Sequence, residues 1–498
     1  MRTCFLERRT WIVATLFAAC GSCQRLESTM SQVNAGGSSG ASSSAVSVSS
    51  MGASSASGVA VQTNGTDAGG NDSAGQSGST MATVSLARGP TAAAGGTNFP
   101  FPQNRQSSGC LYPDAYSNDT VVAAYTAWKA DMVTSNNANG FMRVQRTSSD
   151  GVDGCRPLNS TVSEGIGYGM LIAVYMGDSN LFDNLWLYEQ QNLDASGLMN
   201  WAPGGSGNTC SGGATDADED MAFALAMADR QWGGQGTLKE SYKQSAIDQI
   251  QKIWGTEIFN YAWVRAGDGN WATNANQNIS YFAPSYYRVF AELDPKACPQ
   301  GSDAAYSRMN NCDGWWGVID QDYVTITDAL NGSNGNASNG LVPGWCDDSN
   351  PGQCPAASGQ PFNYQYDACR TPFRIGLDWC WNAEGRAQSY LAKISSFFGG
   401  IGAANIVDGY ALSGTPQPAT PAPSGGGAAP LSDPFVGPAA VGAMSGSAYR
   451  SLLNDGYGLL ARSHPYAGGE YYASSWRVLS LLMMTGNFVD YTQETASH

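Results

Sequence analysis

Apolar positions recur at helical spacing through most of the chain beyond residue 99. Between residues 119 and 133, Val122, Tyr125, Trp128 and Met132 fall three or four apart, the repeat that lines up side chains along one face of a helix. The same repeat marks residues 222–232, 242–254, 285–293, 387–398 and 475–484. These segments alternate with Gly- and Asn-rich stretches such as 202–213 and 331–339. Alternating strand patterns are few, and residues 323–327 make the best one. Many helices between long polar loops, without a strand–helix–strand rhythm, predict an all-α architecture. A Pro-, Gly- and Ala-rich stretch at 414–430 reads as a surface loop inserted in the domain, because helix-forming sequence resumes after it.

The pattern fails before residue 99. Residues 31–98 are mostly Gly, Ala, Ser and Thr, with no aromatic residue, and cannot bury enough apolar surface to offset backbone entropy. The domain reading is therefore a leader at 1–23, a flexible linker at 24–98 and one folded body at 99–498. In the leader, Arg2, Arg8 and Arg9 precede a short apolar run from Trp11 to Ala19, too short for a spanning helix and suited to an export signal. Ala18 and Ala19 ahead of Cys20 match a bacterial lipobox, so a lipid anchor at Cys20 is expected. Ordinary cleavage nearby and free secretion stands as the alternative. Either places the protein outside the cytoplasm, secreted or tethered at the cell surface.

Composition narrows the chemistry. A formal charge of −16 and only 13 % charged residues would repel phosphate, which excludes a nucleic-acid partner. Two histidines, His464 and the terminal His498, are too few for His-rich zinc sites and leave a single candidate for a nucleophile's base. Catalysis must run on carboxylates, hydroxyls, Arg or Lys. Nine cysteines lie beyond residue 99 without a Cys-x-x-Cys pair, which in an exported protein predicts disulfides and, from the odd count, at least one free thiol. Cys298 with Cys312 and Cys346 with Cys354 are the first pairs to expect.

Three acidic sites stand out. Glu164 follows Thr161 and Ser163, either of which could cap a helix, so it could simply complement the helix dipole. Yet Gly165, Gly167 and Gly169 alternate through the same helix start, each costing about 1 kcal/mol relative to Ala, as if something bulky must approach the backbone. Asp216, Asp218, Glu219 and Asp220 crowd the start of another helix. Asp216 and Glu219 fit a capping-box variant. A calcium loop is excluded, since Met221 and Met227 occupy the positions that need Gly and Glu. Four acids so close repel one another and predict raised carboxyl pKa values. Third, Asp367 lies three residues before Arg370, either an exposed ion pair or a carboxylate kept charged in a cleft.

Taken in order, these motifs resemble glycoside hydrolase family 8, most closely its bacterial endoglucanase branch. The matching runs are Ser163-Glu-Gly-Ile-Gly-Tyr-Gly-Met170, Gly197-Leu-Met-Asn-Trp201, Ala214-Thr-Asp-Ala-Asp218, Trp271, Ser280-Tyr-Phe-Ala-Pro284, Gly340-Leu-Val-Pro343, Tyr366-Asp-Ala-Cys-Arg370, Ile406-Val-Asp-Gly-Tyr410 and Thr485-Gly-Asn-Phe488. The resemblance implies an α/α barrel of six helical hairpins with an open cleft, and hydrolysis of β-1,4-glucan with inversion by a monomer that needs no metal or other cofactor. It implies Glu164 as general acid, Asp367 as general base and Asp216 as the carboxylate stabilising the distorted sugar. Tyr281 and Arg370 would position the water and base, and Trp201 and Trp271 would stack on glucose rings. The match around Trp201, Tyr281 and Asp367 favours cleavage of internal β-1,4-glucosidic bonds; because the family also holds xylanases, lichenases and chitosanases, and an acidic surface suits chitosan, one of those activities stands as the alternative. A tethered carbohydrate-binding protein without turnover is the reading outside the enzyme class.

Overall fold

A computed structural model describes residues 99–147, 153–205, 210–273, 276–295, 314–349, 353–418, 432–462 and 470–494, all within the second of two units, Thr83–His498. The leader, the linker, Cys298, Cys312, both histidines and most of the 414–430 stretch lie outside the described residues.

Twelve α-helices are found among the described residues, in six pairs: α1 (Asn118–Met132), α2 (Ser163–Met176), α3 (Ser179–Glu189), α4 (Thr215–Gln231), α5 (Tyr242–Thr256), α6 (Pro284–Leu293), α7 (Trp315–Ala329), α8 (Thr371–Asn382), α9 (Gly385–Ile401), α10 (Asp433–Ala443), α11 (Arg450–Leu460) and α12 (Tyr471–Met484). The even-numbered helices pack in a closed ring, α2 on α4, α4 on α6 and so on to α12, which returns to α2. Each carries an odd-numbered neighbour outside, such as α3 on α2, α5 on α4 and α1 on α12. This is an α/α toroid of six hairpins. Strand structure is limited to three two-residue antiparallel pairs in the connections: β1 (Val133–Thr134) with β2 (Arg143–Val144), β3 (Ile258–Phe259) with β4 (Trp263–Val264), and β5 (Asn276–Gln277) with β6 (Cys346–Asp347). No described helix is long and apolar enough to cross a membrane.

The two rings differ in sequence because they differ in surroundings. In α2 every residue but Glu164 is buried, whereas α5 buries Tyr242, Ser245, Ala246, Gln249, Ile250 and Ile253, one stripe at helical period. The expected strand at 323–327 is corrected: it lies inside α7. There Trp315, Val318, Ile319, Asp322, Ile326 and Ala329 form one buried face, and the longer period overrides a short β-branched run.

Disulfides join Cys110 to Cys380, Cys155 to Cys210 and Cys346 to Cys354, the last as expected. Cys369 is free and buried, and burial pushes its thiol up to about 12, so it is no nucleophile.

Candidate active site

Because the chain alternates between outer and inner helices, the inner helices all run the same way and their N-termini share one end of the ring. Side chains cap the outer helices α1, α3, α5 and α9, through Ser117, Asp178, Ser241 and Glu384. None of the six inner helices has a side-chain cap. The expected caps are thus corrected. Thr161 instead donates its hydroxyl to the Val144 carbonyl at 2.8 Å, Ser163 is already helical, and Asp216 lies inside α4 with Glu219 turned to Tyr287 at 2.6 Å. The starts of α2, α4, α8 and α12 instead carry Glu164, Asp216, Arg370 and Tyr471, which contact one another.

Arg370, at the start of α8, is their centre. Its side chain is 1 % exposed, and Nη1 donates to Glu164 Oε1 and to Asp216 Oδ2, both at 2.5 Å. Nε donates to Ser280 Oγ at 2.9 Å, and the guanidinium lies 4.9 Å from the centroid of the Tyr281 ring. Nη2 is 3.9 Å from Asp367 Oδ1. The arginine was expected to serve Asp367; it serves the other two carboxyls more closely, because both are less exposed than Asp367 and need its charge more. One planar guanidinium spanning both contacts keeps the facing oxygens of Glu164 and Asp367 at most about 9 Å apart. Asp367 is 39 % exposed, and its Oδ2 accepts hydrogen bonds from Trp345 Nε1 and Gln365 Nε2, both at 3.0 Å.

Glu164 is pulled in opposite directions. Burial raises its pKa most, Arg370 lowers it, and Asp216 raises it again; the result is about 7. Tyr471 at the first turn of α12 donates to Oε2 at 2.6 Å, and Tyr168 donates to Oε1 at 3.0 Å, both favouring the charged form less strongly. A carboxyl that is half protonated near neutrality, beside a second that stays exposed, can pass protons in both directions across a gap.

The other acids of α4 have partners from neighbouring helices. Asp220 accepts two bonds from Arg374, at 2.8 and 3.1 Å, and Glu219 is 3.3 Å from the same arginine. Burial raises the pKa of Asp216, Asp218, Glu219 and Asp220 alike, with the arginines opposing it at Asp216, Glu219 and Asp220. Their crowding is therefore bound up with α8, whose Arg370 and Arg374 are one turn apart. The alternating glycines are also explained differently. A Cβ on Gly167 would lie 3.0 Å from Asp220 Cβ and 3.1 Å from the Ala217 carbonyl, one on Gly165 would lie 3.3 Å from the Tyr471 ring, and one on Gly169 2.7 Å from Leu185, so the close neighbours are packed parts of the fold rather than a ligand.

Trp271 packs with Tyr281 and Trp345 in a small apolar cluster, which links it to Asp367 through the Trp345 indole. Trp201 meets Trp271 edge-on at 6.4 Å between centroids, and its carbonyl accepts from the Ser163 amide at 3.0 Å, beside Glu164. All seven residues singled out in the sequence thus gather in one region. Tyr168, Tyr471, Trp345, Gln365, Ser280 and Arg374 were missed. Arg374 was signalled by its four-residue spacing from Arg370, and Tyr168 by its four-residue spacing from Glu164; the others had no local signal. Among the described residues no group of three His, Cys, Asp or Glu side chains is placed to hold a metal.

Residues 100–486 match the family described as glycosyl hydrolases family 8. The chain is 33 % identical over 415 residues to Endoglucanase C of Ruminiclostridium cellulolyticum, covering 81 % of this chain and 80 % of that one. It is 34 % identical over 378 residues to Endoglucanase A of Acetivibrio thermocellus, covering 74 % and 69 %. The solved apo structure of a β-1,3-1,4-glucanase from Paenibacillus sp. X4 superposes with a TM-score of 0.64 at 28 % identity, over 78 % of this chain and 99 % of that one.

Proposed function

Because the chain belongs to glycosyl hydrolase family 8 and is a glycosidase, we propose that it is an exported, inverting endo-β-1,4-glucanase. Glu164, protonated, gives its proton to the glycosidic oxygen as the bond to the anomeric carbon breaks. Asp367 takes a proton from a water that attacks that carbon from the opposite face. Asp216, charged against Arg370, stabilises the positive ring of the transition state. The products are a free hydroxyl on the leaving sugar and an inverted anomeric centre; solvent then returns a proton to Glu164 and removes one from Asp367.

The observation that carries this reading is Arg370 in contact with Glu164 and Asp216 while its other nitrogen reaches toward Asp367. The limit of about 9 Å between the two carboxyls admits the roughly 6.5–9.5 Å an inverting pair needs. Trp201 and Trp271 would supply aromatic faces for glucose rings. The export reading is supported by the leader pattern of residues 1–23 and by three disulfides among the described residues, with a lipid at Cys20 as the proposed anchor.

A second reading, mixed-linkage β-glucan as preferred substrate, is favoured by the likeness to the Paenibacillus enzyme. Reducing-sugar release from soluble cellulose, lichenan, xylan and chitosan in parallel separates these readings, and proton NMR of the first product gives the anomer. Activity on chitosan alone, or a retained β-anomer, would overturn the proposal.

A further inference from the structure

A cavity of about 320 Å³ opens beside the acid's helix, at the lower end of the roughly 300–1,000 Å³ of small-ligand sites. Its floor is Arg143, Thr161 and Tyr188, all buried. Arg143 is 4 % exposed and donates from Nε to the Asn136 carbonyl at 2.8 Å and from Nη1 to Thr161 Oγ1 at 2.7 Å. Among the described residues no carboxylate pairs with it, and Nη2 makes no hydrogen bond. A buried guanidinium without a counter-charge, lining an open cavity, is a donor left for something that enters.

The rim has the same character. Asn137, Asn139 and Asn159, all exposed, line it at positive φ, 54°, 52° and 61°. Their side-chain amides make no hydrogen bond to the described residues, which leaves donors and acceptors at the rim for a ligand. Neutral amides, a phenol and one unpaired guanidinium suit a polyhydroxylated ligand, which offers both donors and acceptors and carries no charge. The place suits it as well. Pro203 and Gly204, which follow Trp201, line one side, and Thr161 lies three residues before Glu164.

We infer that this cavity is a saccharide subsite outlying from the Trp201 platform, holding one pyranose of a long glucan through hydrogen bonds from Arg143 and the three asparagines. The inference rests on the proposed glucanase reading. The test compares kinetics on a β-1,4-glucohexaose and a glucotriose for the wild type, for the triple variant Asn137→Gly, Asn139→Gly, Asn159→Gly, and for Tyr188→Phe. Glycine tolerates positive φ, so the triple variant removes the amides without straining the backbone. Expected are a rise in KM for the hexaose of about tenfold in the triple variant and about fivefold in Tyr188→Phe, the loss of one or two ordinary hydrogen bonds. Kinetics on the triose and kcat on both should be unchanged. Hexaose kinetics equal to wild type, or equal losses on both chains, would overturn the subsite and leave the glucanase reading standing. A wild type inert on both chains would overturn the catalytic reading and this one with it.

Discussion

At Glu164 the decisive quantity is the balance between desolvation and one arginine. Burial outweighs Arg370, and the carboxyl titrates at about 7 rather than in the usual carboxylate range. A general acid works only while protonated, so kcat/KM should fall as pH rises through about 7, read from the alkaline limb of the rate profile. Tyr471→Phe removes a donor that favours the charged form. It should move that limb to higher pH with little change in KM, whereas a tyrosine serving only the fold would leave the limb in place. Glu164→Gln should lower kcat by about 10²–10⁴ while oligosaccharide binding, followed by calorimetry, survives. Linkage adds a second readout. A carboxyl whose folded pKa lies above its unfolded value contributes stability at low pH that is lost between about 4.5 and about 7 as pH rises. The melting temperature of Glu164→Gln relative to wild type should therefore increase from pH 4 to pH 8.

Among the elements, the contact of α2 with α4 and the link from α4 to α8 hold the chemistry. Gly167 lets α2 approach α4 closely enough to bring Glu164 and Asp216 onto one guanidinium. Gly167→Val has no room to expand, because backbone and Cβ atoms stand in the way. It should destabilise the protein by about 1–3 kcal/mol in urea unfolding and lower kcat with it. On α8, Arg374 neutralises Asp220 and Glu219 in the interior. Arg374→Met leaves buried carboxylates unpaired and should cost about 3–5 kcal/mol near neutral pH. At pH 4 protonation removes the unpaired charge, and the deficit should shrink. If the deficit is the same at both pH values, packing rather than charge accounts for it.

For the molecule as a whole, stability depends on closing the ring. Helix α12 must return to α2, and the segment before α1 is tied to the end of α8 by Cys110–Cys380, a sequence separation of 270. Cross-linking so long a loop restricts the unfolded chain, so Cys110→Ser with Cys380→Ser should lose about 2–5 kcal/mol of stability while active-site kinetics at low temperature stay unchanged. The bridge lies far in sequence from every residue at the carboxyl cluster except those leading into α8.

The sequence by itself determined what short-range chemistry can encode. Helical periodicity marked six of the described helices, because burying a stripe requires apolar residues every three or four positions, though a five-residue window misassigned part of α7. Asp216 stood out because acids crowded into a helix start are expensive without partners, whereas Glu164, Asp367 and Arg370 acquired roles only from the ordered motifs that resemble the family. Only the tertiary structure decided which partners they took. Ring closure brings Tyr471 to Glu164 across 307 residues and sets Arg370 on Glu164 and Asp216 more closely than on its neighbour Asp367. Such pairings depend on where whole helices end in space, and Coulomb and hydrogen-bond energies fall off within a few ångströms, so no local pattern can specify them.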